Sequence, residues 1–220
     1  MATSDVEICQ LALSHIRGGS ILSLTEASLQ AQQCKLLYPN VRDMVLKAAP
    51  WGFNKRIAAL SLRSDTVFGW SYLYQYPVDA IRINRLILNY AALAAGDGSA
   101  VYRPRHWEDV YHPDLSREVK YEVFNVAGQK VIAANEPELR IEYGAKVTNV
   151  AEFDIEFDMA LSHLLAAELA LPLVGGDTGL AYERKERAMY LSMIAEAIAS
   201  SLNEKYSEPV DSEFVTVRKG

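Results

Sequence analysis

The chain has 220 residues, of which 50% are hydrophobic and 23% are charged. This is enough apolar sequence to bury a core, in one large domain or in two small ones, and it excludes a disordered chain. The formal net charge is −6 and the sequence pI is about 5.3, so the protein as a whole repels nucleic acid.

The two cysteines, Cys9 and Cys34, are too few for a disulfide framework, and we expect two buried, reduced thiols on separate helices. The first residues contain neither a basic nor an apolar segment, so we expect no secretory signal. The longest apolar stretch, Met159 to Val174, contains His163 and Glu168 and is too short and too polar to span a membrane. We therefore expect a soluble protein that is made in a cytoplasm.

Two helices are predicted at the start of the chain. Ser4 can cap the first helix, which Gly18-Gly19 ends. A second cap lies at Thr25 to Ser28 and opens a longer helix that Pro50 closes. Because proline lacks an N–H group and clashes with the preceding turn, Pro39 should kink or restart this helix.

The middle of the chain, residues 55–148, is predicted to be an antiparallel β module. Trp70, Tyr72, Tyr74 and Tyr76 alternate with other residues, so we expect these four aromatic side chains to share one face of a strand. Alternation recurs at 119–126, and Ala127-Gly128 provides a hairpin turn before the strand at 130–133. Other β-prone runs lie at 81–88, 101–103 and 139–143, with Tyr111 in a less regular extended piece.

Two helices follow. The first is predicted from Asn149 or Asp154 to about Leu171, before Pro172, and is apolar almost all round. Such a helix is buried on most sides, by its own chain or by neighbouring subunits. Its candidate contacts with a neighbour are Phe157, Leu161 and Leu164.

The last helix should be capped by Asp177-Thr178 and should end near Tyr206. Its first half, 183–187, is charged. Its second half carries an apolar stripe of Leu191, Ile194, Ala195, Ile198 and Leu202.

A polar tail begins at Pro209. Within it, Phe214, Val215 and Val217 favour a strand that nothing local can bury, and Arg218 follows them. These residues are candidates for adding a strand to the sheet edge of a partner. A frayed or self-packed tail is the alternative.

The sequence contains none of the familiar catalytic motifs. There is no phosphate-binding loop, no Gly-x-Ser-x-Gly elbow, and no Cys-x-x-Cys or His-Glu-x-x-His motif. Two imidazoles and two carboxylates can bind a divalent metal, and they occur together at His106, Asp109, His112 and Asp114. Their spacing matches no known mechanism, so we predict ordinary loop polarity there and no catalytic, cofactor-binding or metal-binding residue.

Three further features have ordinary structural explanations. His15 is expected on a helix surface, and Glu168 within an apolar helix needs a partner such as an arginine or a backbone donor of a neighbouring chain. The aromatic face from Trp70 to Tyr76 can stack nucleic-acid bases, but it lacks interleaved Lys or Arg. We therefore predict a packed sheet face or a subunit contact there.

Several segments occur in an order that is typical of one family. They are Glu7–Gly19, the "I-x-S-L-x-E" turn at Ile21–Glu26, Ala31–Phe53 (with Tyr38, Arg42, Asp43, Leu46, Trp51 and Phe53 in matching places), the "Y-x-x-P-x-D-x-x-R" strand at Tyr74–Arg82, Arg140–Tyr143, Val147–Asp154, and the Ala-rich run to Pro172. Together, over residues 5–175, they resemble tail tubular protein A and related head-to-tail adaptor (head completion, connector) proteins of tailed bacteriophages. Pro39 and the segment after 175 depart from that pattern.

The resemblance implies a structural, non-enzymatic subunit without a cofactor. It implies a self-assembled ring, typically twelve-fold, that binds below the portal protein and connects it to a tail nozzle or tail-tube protein. Genomic DNA then passes through the channel without sequence-specific binding, and the protein resides in the virion. An acidic chain suits such a channel, because like charges disfavour contacts with phosphates.

We therefore predict an α+β fold. Residues 1–54 and 149–206 form an antiparallel helix bundle, residues 55–148 an inserted antiparallel β module, and residues 207–220 an extended C-terminal tail. The alternatives are another phage tail subunit such as a tail terminator, a helical binding module outside phages, or a small metal-dependent hydrolase that uses the segment from His106 to Asp114.

Overall fold

The computed structural model describes residues 4–88 and 119–203, with side chains through Ser201. Within these residues, four α-helices and two three-stranded antiparallel sheets confirm the predicted α+β class. The helices are α1 (Asp5–His15), α2 (Leu29–Ala48), α3 (Ile155–Leu173) and α4 (Gly176–Asn203). The strands are β1 (Lys55–Ala59), β2 (Tyr72–Gln75), β3 (Ala80–Leu88), β4 (Tyr121–Val126), β5 (Gln129–Ala134) and β6 (Leu139–Ala145). The predictions for 101–103, Tyr111, the His106–Asp114 cluster and the tail lie outside the described residues.

Both N-terminal helices begin at the predicted serine caps. The Ser4 hydroxyl accepts a hydrogen bond from the Glu7 amide, and the Ser28 hydroxyl accepts one from the Ala31 amide, each at 3.3 Å. These bonds satisfy amides that have no partner within the helix. Cys9 on α1 and Cys34 on α2 are buried, as predicted.

Pro39 does not restart the second helix, so that part of the prediction is wrong, and the alternative of a kink stays a prediction. Helix α2 runs without a break from Leu29 to Ala48, with Pro39 inside it. The missing N–H of Pro39 leaves the Lys35 carbonyl without its helical partner. Because both residues lie on the exposed side of α2, water can bond to that carbonyl at little cost.

All six strands lie between α2 and α3 in the sequence. They form one sheet in the order β1-β6-β3 and a second in the order β2-β5-β4. The β4–β5 hairpin turns at Ala127-Gly128, where φ is +52° and +81°, which matches the twist of an antiparallel pair. The division into a helical domain and an inserted β domain stays a prediction.

The aromatic residues around β2 do not all share one face. Tyr72, Tyr74 and Tyr76 contact the apolar cluster between the sheets, whereas Trp70 packs with Leu73 on the other side. The prediction is therefore correct for the three tyrosines and wrong for Trp70, which lies before the start of β2 and outside its alternation.

Helix α3 is the centre of the helical core. It packs against α1, α2 and α4, and its residues are buried around the whole circumference from 160 to 167. Phe157, Leu161 and Leu164 are at most 1% exposed. This corrects the prediction that they contact a neighbouring subunit, because helices of the same chain already cover them.

The α3–α4 connection is tighter than predicted. Helix α3 continues through Pro172 to Leu173, and α4 begins at Gly176 instead of being capped by Asp177-Thr178. Gly175 and Gly176 have φ of +67° and +55°, a backbone conformation that favours glycine. Helix α4 has 28 residues and is therefore about 42 Å long. No helix in the described part of the chain is long and apolar enough to cross a membrane.

Candidate functional site

Three helices bring two histidines and a glutamate together. His15 ends α1, His163 lies within α3 and Glu186 lies within α4. The two imidazole rings are stacked, with centroids 4.3 Å apart and planes 18° apart. His163 Nδ1 is 2.6 Å from Glu186 Oε2. Glu186 is 0% and His163 6% exposed, so most of this cluster is removed from solvent.

Neighbouring polar groups fix the protons of the cluster. The Ser162 hydroxyl donates its one proton to the Met159 carbonyl at 2.8 Å, so it can only accept from His15 Nε2, which lies 3.3 Å away. His15 therefore carries its proton on Nε2. On the other side, Lys185 Nζ lies 3.0 Å from Glu186 Oε1.

The electrostatic environment favours a neutral His15 beside a charged Glu186. Burial, followed by the neighbouring His163, lowers the pKa of His15. Burial by itself would raise the pKa of Glu186, but the hydrogen bond from His163 and the nearby ammonium of Lys185 outweigh it and hold that pKa below its ordinary value. A neutral imidazole and a carboxylate are both metal ligands.

The cluster offers three ligand atoms in one place. One nitrogen from each histidine and one oxygen from Glu186 all lie within 4.8 Å of one another. The prediction that His15 lies on a helix surface is only partly correct, because the C-terminal end of α1 packs against α3 and leaves His15 half-exposed. No short motif marks this cluster in the sequence, since each ligand comes from a different helix.

The predicted need of Glu168 for a partner is met within the chain. Glu168 is half-buried, and its Oε1 accepts a hydrogen bond from Arg187 Nη2 at 3.0 Å. Arg187 also donates to Glu183 at 2.6 Å, and bonds to Glu183 and Glu168 raise the pKa of Arg187. An arginine of a neighbouring chain is thus not required, which corrects that part of the prediction.

Helix α4 carries an exposed row of apolar residues, which we call the α4 seam. Its members are Ala181, Ala188, Leu191, Ala195 and Ile198, and all are exposed. With Arg184 they follow each other at alternating intervals of three and four residues. This heptad spacing is typical of helices that pair with another helix. Leu191 is 59% and Ile198 38% exposed.

The α4 seam faces away from α3. Gly179, Glu186 and Ala197 are buried on the opposite side of α4, where this helix packs on α3. The predicted stripe is thus divided. Ile194 packs against the core, whereas Leu191, Ala195 and Ile198 belong to the seam.

A second exposed apolar row, the α2 stripe, consists of Leu29, Leu36 and Met44. They are 52%, 64% and 55% exposed. Their spacing of seven and eight residues places them within one side of α2. Buried residues of α2, such as Cys34 and Val45, lie on its other side.

The predicted tail contacts, Phe214, Val215, Val217 and Arg218, lie outside the described residues. No protein-family model matches this sequence, and no curated protein matches it either. The residues themselves therefore carry the functional argument.

Proposed function

We propose that this chain is a structural subunit of a phage head-to-tail connector, and that copies of it form a ring below the portal. The observation that carries the proposal is the α4 seam. Its apolar residues, interrupted by Arg184, stay exposed at heptad spacing, and exposed apolar patches commonly mark contacts with other chains. The resemblance of the ordered segments to head-to-tail adaptors selects this kind of assembly.

Burial of the seam favours association. Fully burying a leucine or isoleucine side chain stabilises by about 1.5–3 kcal/mol relative to leaving it exposed. Leu191 and Ile198 are about half exposed in the single chain, so part of this free energy is still available for binding. The intervening alanines, Ala188 and Ala195, have small side chains that allow a partner helix to approach closely.

A ring needs two different surfaces on each subunit, because every copy contacts one neighbour on each side. The α2 stripe is the second surface in this proposal. Each α4 seam then packs against the α2 stripe of the next copy. Each helix already uses another face for its own core, so the assembly requires no unfolding of either helix.

Two charge-introducing variants test this arrangement. One carries Leu191→Glu and Ile198→Glu on the seam, and the other Leu36→Glu and Met44→Glu on the stripe. All four positions are exposed, so both variants should keep the circular dichroism spectrum and the Tm of the unchanged chain. A Phe68→Glu variant is the control, since Phe68 is fully exposed and outside both surfaces.

Native mass spectrometry and sedimentation, with and without a portal ring encoded in the same genome, provide the measurement. We expect rings from the unchanged chain and the control, and monomers from each double variant. A mixture of the two double variants should stop at a heterodimer, because it retains only one working contact. A dimer that survives the α2 substitutions would instead indicate symmetric α4 pairing and would contradict the ring. An unchanged chain that stays monomeric with and without portal would also contradict the ring.

A further inference from the structure

We propose that His15, His163 and Glu186 form a binding site for a divalent transition-metal ion, with Zn²⁺ as the preferred ion. Two imidazole nitrogens and one carboxylate oxygen are a ligand set that Zn²⁺ uses in proteins, with a fourth position left to water. The site is separate from the α4 seam and from the α2 stripe, so it does not depend on the proposed function.

The distances require only side-chain adjustment. Bonds of about 2.0–2.2 Å place the ligand atoms of a tetrahedral zinc about 3.3–3.6 Å apart. One nitrogen of each ring and one oxygen of Glu186 lie within 4.8 Å of one another. A contraction of at most about 1.5 Å therefore brings them into range.

The positions of the protons on the two histidine rings also allow a metal ion to bind. Ser162 holds the proton of His15 on Nε2, so Nδ1 carries the lone pair. His163 Nδ1 donates its proton to Glu186 Oε2 at 2.6 Å, since the carboxylate can only accept. When a metal takes the Nδ1 position, the proton of a neutral His163 moves to Nε2, and the ring remains a neutral ligand.

Lys185 is the competing cation. Its ammonium lies 3.0 Å from Glu186 Oε1, while its side chain is 65% exposed. The metal needs only the other oxygen, Oε2, and the exposed Lys185 side chain can rotate toward solvent. The positive charge still repels the ion, so replacing Lys185 by methionine should strengthen metal binding severalfold.

The full chain, stripped with a chelator, is titrated with Zn²⁺ and with Co²⁺ in calorimetric and absorbance experiments. We expect one equivalent to bind, with the visible absorption of tetrahedral Co²⁺. At a Zn²⁺ concentration about a hundred times Kd, the Tm should rise by roughly 5–11 °C. Lys185→Met should shift Kd downward.

Histidine variants test the proposed ligands, and variants of two other histidines are the matched controls. His15→Gln and His163→Gln should each abolish the Co²⁺ spectrum and the rise in Tm. His15→Gln is the decisive one, because His15 is half-exposed at a helix end and its loss leaves the fold intact. His106→Gln and His112→Gln should leave binding unchanged. Absence of Zn²⁺ and Co²⁺ binding at micromolar concentration would overturn the proposal, and so would binding that persists in His15→Gln.

Discussion

Replacing Phe157 by alanine tests whether α3 is an internal helix or a contact surface. Phe157 is 0% exposed, and its ring lies 4.6 Å from Phe153, 5.1 Å from Phe53 and 5.2 Å from Trp51, measured between centroids. The substitution removes these contacts and leaves a cavity that the surrounding helices cannot fill.

The structure allows the loss to be estimated. Truncation of a buried phenylalanine to alanine costs about 3–5 kcal/mol, against a total stability of about 5–15 kcal/mol for a typical domain. For a chain of this size, the Tm should fall by about 6–20 °C. Phe68→Ala is the matched control, because Phe68 is fully exposed and its truncation should change stability by less than about 0.5 kcal/mol.

Urea unfolding, followed by tryptophan fluorescence and circular dichroism, measures both variants on the single chain. Trp51 lies in the affected cluster and reports on it directly. The reasoning is refuted if Phe157→Ala keeps the stability of the unchanged chain but loses assembly. That outcome would indicate that Phe157 contacts a neighbouring subunit, as predicted from the sequence.

Two further predictions concern the helix crossing and the β module. A Cβ at Gly179 would lie 3.0 Å from the Ala170 carbonyl oxygen on α3. Gly179→Ala should therefore lower the free energy of unfolding by about 1–3 kcal/mol, although alanine has the better helix propensity. Gly52 has open space around it, so Gly52→Ala should be neutral or slightly stabilising in the same urea assay. Burial, followed by the charge of Glu138, raises the pKa of Tyr74 from 10.0 to about 12. Stability from this group is therefore full below pH 10 and is lost as the pH rises toward 12, by about 2–3 kcal/mol, and Tyr74→Phe should flatten that part of the pH profile in urea titrations. An unchanged alkaline slope in Tyr74→Phe would show that the buried hydroxyl does not contribute.

Local signals in the sequence were sufficient for much of the fold. The caps at Ser4 and Ser28, and the turn at Ala127-Gly128, each depend on residues within a few positions of one another. Such short-range patterns determine where helices and hairpins begin. The continuation of α2 through Pro39 was not evident from the sequence, because the cost of that proline depends on which side of α2 faces solvent, and tertiary packing decides this.

The candidate sites depend on contacts between distant segments. Glu186 lies in a run of charged residues, 183–187, that indicates a solvated helix, yet it is completely buried against His163. An apolar helix such as α3 does not reveal whether its own chain or a neighbour covers it. The row of alanines on α4 is also a weak signal, since alanine is common on exposed and buried faces alike.

Electron microscopy of the chain mixed with a portal ring from the same genome tests the central claim most directly. We predict a second ring below the portal, with α4 of each copy packed against α2 of the next. The Leu191→Glu and Ile198→Glu variant should leave the portal without this added ring, while Phe68→Glu should retain it. Portal rings that carry no added density with the unchanged chain, at concentrations that saturate other connector subunits, would contradict the account.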